Sequence, residues 1–111
     1  MDKDKDEMLL RIVRALRDVI MLHFLSKAPM HGYEINKKLK ENFRVEYPSS
    51  ILYPVLRELE EKGAITSKWV KAGRRKKRMY YITKKGKAAL KYAHSAMEKP
   101  ARECLRNILG E

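Results

Sequence analysis

Apolar residues change their period once along this chain, at Gly63, and that switch limits the fold more than any other feature. Before it the spacing is helical. Leu9, Ile12, Val13, Leu16, Val19 and Ile20 recur at steps of three or four, with Arg11, Arg14 and Arg17 on the polar side. The stripe widens through Leu22, Phe24 and Leu25, as for a helix covered on more than one side. Ala28-Pro29 ends it, because a residue before proline avoids the helical region. A second helix is predicted over 30–41. Tyr33, Ile35 and Leu39 form its apolar face, Asn36, Lys37, Lys38 and Lys40 its polar one, and Asn42 its stop. A third, over 49–62, repeats Leu52, Val55, Leu56 and Leu59. Ser49 or Ser50 is its predicted N-cap, Pro54 is tolerated near the first turn, and Lys62-Gly63 closes it.

Beyond Gly63, residues 64–70 and 78–83 are rich in β-branched and aromatic side chains and read as two strands. Lys71-Ala72-Gly73-Arg74-Arg75-Lys76-Lys77 between them is predicted to be a basic hairpin tip, with Gly73 permitting the turn. Thr83 caps a last helix whose stripe is Leu90, Ala93, Met97, Ala101, Cys104 and Ile108. A kink or break is expected just before Pro100. The predicted organisation is a disordered tail at 1–7, a domain at 8–83 and a C-terminal helix at 84–111. The fold class is mainly α with a small β-hairpin.

A length of 111 residues allows one domain with one core. The formal net charge of +12, from 26 basic and 14 acidic residues, calls for a polyanionic partner. Cys104 is the sole cysteine, so an intrachain disulfide is impossible and a reducing, cytoplasmic setting is expected. The longest apolar run, Val19 to Leu25, is broken by His23 and too short to span a bilayer, and the polar start MDKDKDE reads as no signal peptide. CxxC, HExxH and Gly-rich phosphate-loop patterns are absent, and His23, His31 and His94 lie far apart. An enzyme is therefore not expected, nor a cofactor or a metal.

Three helices followed by a hairpin is the order of a winged helix-turn-helix. A major groove about 12 Å wide admits one helix. The second helix of a helix-turn-helix, here 49–62, enters it with its N-terminal residues at the base edges. Ser49, Ser50, Tyr53 and Arg57 are then the candidate contacts, with capping and packing as their ordinary alternative roles. From Lys68 to Arg78 every charged residue is basic, which supplies seven positive charges. Such crowding costs self-repulsion that a polyanion relieves, so Arg74, Arg75, Lys76, Lys77 and Arg78 are expected on phosphates or in the minor groove. A solvated basic face is the plainer reading of the same run.

Three blocks also carry a family resemblance. His31-Gly32-Tyr33-Glu34-Ile35, then Leu52-Tyr53-Pro54-Val55-Leu56-Arg57-Glu58-Leu59-Glu60-Glu61-Lys62-Gly63, then Arg78-Met79-Tyr80-Tyr81-Ile82-Thr83-Lys84-Lys85-Gly86 resemble the PadR family of transcriptional regulators, in order and over most of the chain. The resemblance implies a winged-helix DNA-binding domain, a homodimer joined through the C-terminal helix, and repression from an operator with dyad symmetry. It marks Tyr33, Tyr53 and Arg57 as DNA-facing or DNA-adjacent. Ile51 stands where the family often has a small hydroxyl residue, which moves the base-reading role to Ser49 and Ser50.

The last helix points to dimerisation on physical grounds as well. Its stripe is predicted to lack a partner within the domain, and pairing with the same helix and with the Leu9 and Ile12 end of the first helix of a second copy would bury it. Folding back on its own domain is the alternative. The predicted partners are thus double-stranded DNA and a second copy, with no membrane. The sole tryptophan, Trp69, falls on the first strand, and Tyr92 is the one aromatic of the last helix, so the sequence does not support a tryptophan-lined effector pore. A non-specific architectural nucleoid protein is the alternative function that the same charge would serve, and RNA binding is a further one.

Overall fold

Ile35 and Leu39 on one helix share a core cluster with Leu52, Val55, Leu56 and Leu59 on the next, and these side chains are almost fully buried. Around this core the chain is arranged as α1 (Lys3–Lys27), α2 (Gly32–Phe43), α3 (Ser49–Glu61), β1 (Ile65–Ala72), β2 (Arg75–Ile82) and α4 (Lys84–Leu109). The computed structural model describes residues 3–110; at 3–6, 9–15, 101, 105 and 109 only the backbone is described. Met21, Phe24 and Leu25 of α1 complete the helical side of the core. Ile65 and Tyr80 close it from the hairpin, so the sheet is anchored by its root.

The strands pair antiparallel from Ile65↔Ile82 to Ala72↔Arg75, leaving Gly73 and Arg74 as a two-residue turn. Gly73 carries φ +65 and Arg74 no positive φ, the pattern of a hairpin turn with glycine first. Both strands therefore run into the basic segment that sequence reading assigned to a loop at 71–77. Extended backbone sets consecutive cations on opposite faces, which separates like charges better than a loop would. Met30 adds a further rung outside β2. Its N–H donates to the Tyr80 carbonyl at 3.2 Å and its carbonyl accepts from Tyr80 N–H at 2.8 Å.

Four boundaries differ from expectation. α1 begins at Lys3, within the predicted tail at 1–7. Asp4, Asp6 and Glu7 complement the positive end of a helix, and Lys3 and Glu7 are four apart, so a polar first turn is favoured without an apolar anchor. α2 starts after His31, which caps it, and stops at Arg44 in the left-handed region (φ 56) rather than at Asn42. Pro48 occupies the N-cap of α3 and makes no side-chain cap, so Ser49 and Ser50 are already helical and their hydroxyls are not cap ligands. Pro is at ease there because its fixed φ suits a helix entrance. α4 passes through Pro100 without a break. One missing N–H removes one rung of a 26-residue helix, and the remaining ladder carries it.

Thr83 caps α4 as predicted, its Oγ1 accepting from Gly86 N–H at 3.0 Å. The same hydroxyl sits 2.6 Å from the Gly63 carbonyl oxygen. Gly86 lies flat on the Ala64 carbonyl, where a Cβ has no room. Leu90 packs on the core of its own chain and Ala93 is half-buried. The early part of the α4 stripe thus has the partner that sequence reading denied it, because α1 lies alongside. No helix among the described residues is long and apolar enough to cross a membrane.

Candidate nucleic-acid interface

On α3 the burial of Leu52, Val55, Leu56 and Leu59 turns the opposite side outward. Ser49, Tyr53 and Arg57 recur every four residues there and share one stripe, which Glu60 extends by a further turn. Both serines are exposed, as is Arg57. The N-terminus of this helix is set by the segment before it. Asn36 of α2 grips the backbone of Tyr47 twice, donating from Nδ2 to its carbonyl at 2.7 Å and accepting at Oδ1 from its N–H at 3.0 Å. Val45 and Tyr47 are buried beneath. These contacts fix where Pro48 launches α3.

The start of α2 lies against the same face. His31 Nδ1 accepts from Glu34 N–H at 3.3 Å, and the Glu34 carboxylate returns to His31 N–H at 3.4 Å and Nε2 at 3.0 Å. This reciprocal cap satisfies two orphan amides. It leaves Tyr33 pointing outward, 75% exposed. Gly32 passes directly under Tyr53: a Cβ at Gly32 would stand 2.6 Å from the Tyr53 hydroxyl. Tyr53 is therefore both a packing piece and an exposed ring, at 42%. Glycine at position 32 is what lets it lie there.

The hairpin supplies the third wall. Ile65, Ser67, Trp69 and Lys71 share a face with Lys76, Arg78, Tyr80 and Ile82, since paired residues alternate sides together. The root of this face is core; the outer part looks across at α3. Trp69 and Arg78 are cross-strand partners, with the guanidinium 5.7 Å from the indole centroid. On the other face Lys68 lies 4.9 Å from the Tyr81 ring. Burial pushes the Tyr80 phenol above its ordinary value, outweighing the opposing pull of Arg78.

Together these walls enclose an open cleft of about 550 Å³. Of the residues predicted to touch DNA, Tyr33, Tyr53, Arg57, Lys76, Lys77 and Arg78 line it. Ser49, Ser50, Arg74 and Arg75 lie outside its walls, the serines at the head of α3 and the arginines at the hairpin turn. Among the described residues, Arg57, Lys68, Lys71, Arg74, Arg75, Lys76 and Lys77 make no ion pair within the chain, whereas Arg78 does, with Glu60 at 3.6 Å. The cleft also takes in His31, Glu60 and Trp69, which sequence reading left out of the site. A two-residue turn at Gly73-Arg74 places Trp69 opposite Arg78, and that was the signal available.

The predicted dimer residues divide. Met97, Cys104 and Ile108 are exposed along the far part of α4, Ile108 at 72%. Leu90 and Ala93 are covered to different degrees by their own chain. The side chains of Leu9, Ile12 and Ala101 lie outside the described residues.

Comparison with known proteins agrees with this geometry. Residues 21–92 match the model of the transcriptional regulator PadR-like family. A transcriptional regulator of Mycobacterium tuberculosis is 33% identical over 93 residues, covering 83% of this chain and 85% of that protein. A transcriptional regulator from Thermoplasma acidophilum is similar in structure, with a TM-score of 0.76 at 30% identity over 91% of this chain and 97% of that one. PadR of Bacillus subtilis, solved in complex with operator DNA, matches with a TM-score of 0.60 at 29% identity, over 68% of this chain and 43% of its own.

Proposed function

Because the chain belongs to the PadR-like family of transcriptional regulators, we propose that it is a cytoplasmic, homodimeric repressor that binds an operator in duplex DNA. The observation that carries this reading is the cleft itself. Arg57, two exposed tyrosines and a cationic hairpin line one opening, and the hairpin's cations, Arg78 apart, make no ion pair among the described residues. In this reading α3 enters the major groove. Ser49 and Ser50 meet base edges or phosphates at its head, and Tyr53 and Arg57 follow one and two turns on. Tyr33 flanks the groove from α2. Arg74, Arg75, Lys76 and Lys77 neutralise phosphates beside it or reach into the minor groove.

The exposed Met97, Cys104 and Ile108 favour a second copy on α4. Such a pair would set two α3 helices about 34 Å apart, one turn of DNA, or a multiple of it. PadR of Bacillus subtilis was solved with operator DNA, which supports the same partner here. In this reading the work of the present chain is binding rather than catalysis, with no cofactor.

The test is a selection of bound fragments from the source genome, followed by affinity for the selected site and for mixed-sequence duplex at physiological salt. A preference of about a thousandfold or more is expected of a regulator. A ratio near one would replace this reading with an architectural nucleoid role, which the hairpin charge alone would equally serve.

A further inference from the structure

Glu60 is the one carboxylate among the described residues lining the cleft. A bare carboxylate in a phosphate-binding cleft repels its ligand. Here it is not bare. The Ser67 hydroxyl donates to the Glu60 carboxylate, lying 2.8 Å from Oε2 and 3.0 Å from Oε1. The same hydroxyl oxygen accepts from Arg78 Nε at 2.9 Å. Arg78 Nη2 reaches Glu60 Oε1 at 3.6 Å, and its guanidinium lies 5.7 Å from the centroid of the Trp69 ring. Three elements, α3, β1 and β2, thus meet at one hydroxyl. Its single proton goes to the carboxylate and one lone pair takes the Arg78 N–H, so the direction of each bond is set.

We propose that Glu60, Ser67 and Arg78 form a positioning clamp that withholds Arg78 from the DNA backbone and fixes the hairpin against α3, with Trp69 held on the clamped guanidinium. The inference rests on the DNA-binding reading above and refines it. Arg78 is the hairpin cation that makes an ion pair; Lys68, Lys71, Arg74, Arg75, Lys76 and Lys77 make none among the described residues. Those six act on phosphate as unpaired charges. Arg78 acts through geometry, by keeping the hairpin at the spacing that α3 and a neighbouring phosphate row require. Glu60 and Ser67 are positioning residues for the same reason. They face the nucleic acid but serve another side chain.

Counterion release separates the two roles. Each cation that neutralises a phosphate adds about 0.9 to the slope of log affinity against log salt, and a cation already paired with a carboxylate adds nothing. The full chain is titrated with a fluorescent mixed-sequence 30-base-pair duplex over a salt series. Arg75→Gln should flatten the slope by about 0.9 per protomer. Glu60→Gln combined with Arg78→Gln, which removes the pair without baring the carboxylate, should keep the wild-type slope and weaken binding by about fivefold at every salt, the weight of one hydrogen bond. Glu60→Gln should steepen the slope by about 0.9 per protomer, because it frees Arg78 to meet a phosphate. Flattening by the Glu60→Gln, Arg78→Gln pair equal to that by Arg75→Gln would overturn the clamp, as would an unchanged slope in Glu60→Gln.

A second measurement needs no DNA. Trp69 is the only tryptophan, so intrinsic emission reports on it alone. Acrylamide quenching should rise in Glu60→Gln, Ser67→Ala and Arg78→Gln, and stay as in wild type in Arg75→Gln. Equal quenching in all four would overturn the clamp. Should the wild-type chain fail to bind duplex at low salt, the DNA-binding reading falls, and the quenching series alone decides whether the clamp exists.

Discussion

The β1–β2 hairpin and the far half of α4 both extend beyond the core, yet one carries cations to its end and the other apolar side chains. Their roots are alike. Tyr80 and Ile65 sink the hairpin into the core, and Met30 bolts β2 to the turn after α1. Thr83, Gly86 and Leu90 seat α4 just as firmly. Their ends part company. The hairpin has Lys71 to Lys77 with no acidic neighbour in sequence, while α4 exposes Met97, Cys104 and Ile108. Water suits the first only with counterions, and suits the second poorly. A rigid root with an unsatisfied end is how a small fold holds a surface ready for a partner. In the proposed function the two ends take partners of different chemistry, a polyanion and another apolar face.

Changing Arg74, Arg75, Lys76 and Lys77 together to Ala should break the hairpin half of this comparison. Duplex affinity near physiological salt is expected to fall by about a hundredfold or more, with the salt slope reduced by about 0.9 for each lost phosphate contact per protomer. The mass in solution should not change. If slope and affinity both persist, the hairpin end is not the polyanion surface.

Met97→Glu combined with Ile108→Glu attacks the other end. Light scattering should report the 13.1 kDa chain in place of a particle twice that mass. Duplex affinity should drop by about tenfold through loss of the second reading head. A wild-type chain that is already monomeric would sink the α4 half.

Two glycines sharpen the contrast between root and end. Gly86→Ala drives a methyl group into the Ala64 carbonyl, which is backbone and cannot yield, so a loss of about 1–3 kcal/mol is expected in denaturant unfolding. Gly73→Ala meets nothing within 4 Å, but its φ of +65 strains any Cβ, for a smaller loss of about 1 kcal/mol. Equal losses would mean that the turn is as tightly determined as the root.

Much of this was legible before any coordinates. The helical stripes, the change of period at Gly63, the Thr83 cap and the exposed basic hairpin all follow from local preference and periodicity. The remainder depends on residues distant in sequence. Glu60 and Arg78 are eighteen residues apart, Asn36 and Tyr47 eleven, and Met30 and Tyr80 fifty, and no local pattern pairs them. Asn36 offered a hint, since asparagine within a helix is disfavoured unless its amide has other work. The serine cap failed for a different reason. Ser49 and Ser50 are good caps by type, but Pro48 suits the same place, and backbone geometry rather than side-chain preference selected it. At Pro100 the expected break is absent, because a helix as long as α4 carries one residue that ends shorter ones.

A hairpin closed by Gly73 and Arg74 alone has no slack in it. Adding or deleting one residue of β2 between Arg78 and Tyr80 would invert the side chains on the tip side of the change, turning Lys76 and Arg78 to the face opposite Trp69. Wings of this kind can therefore lengthen or shorten during evolution only in steps of two residues per strand. A relative differing by an odd number must place a bulge in the ladder, and the position of that bulge would reveal which cations selection has kept facing the groove.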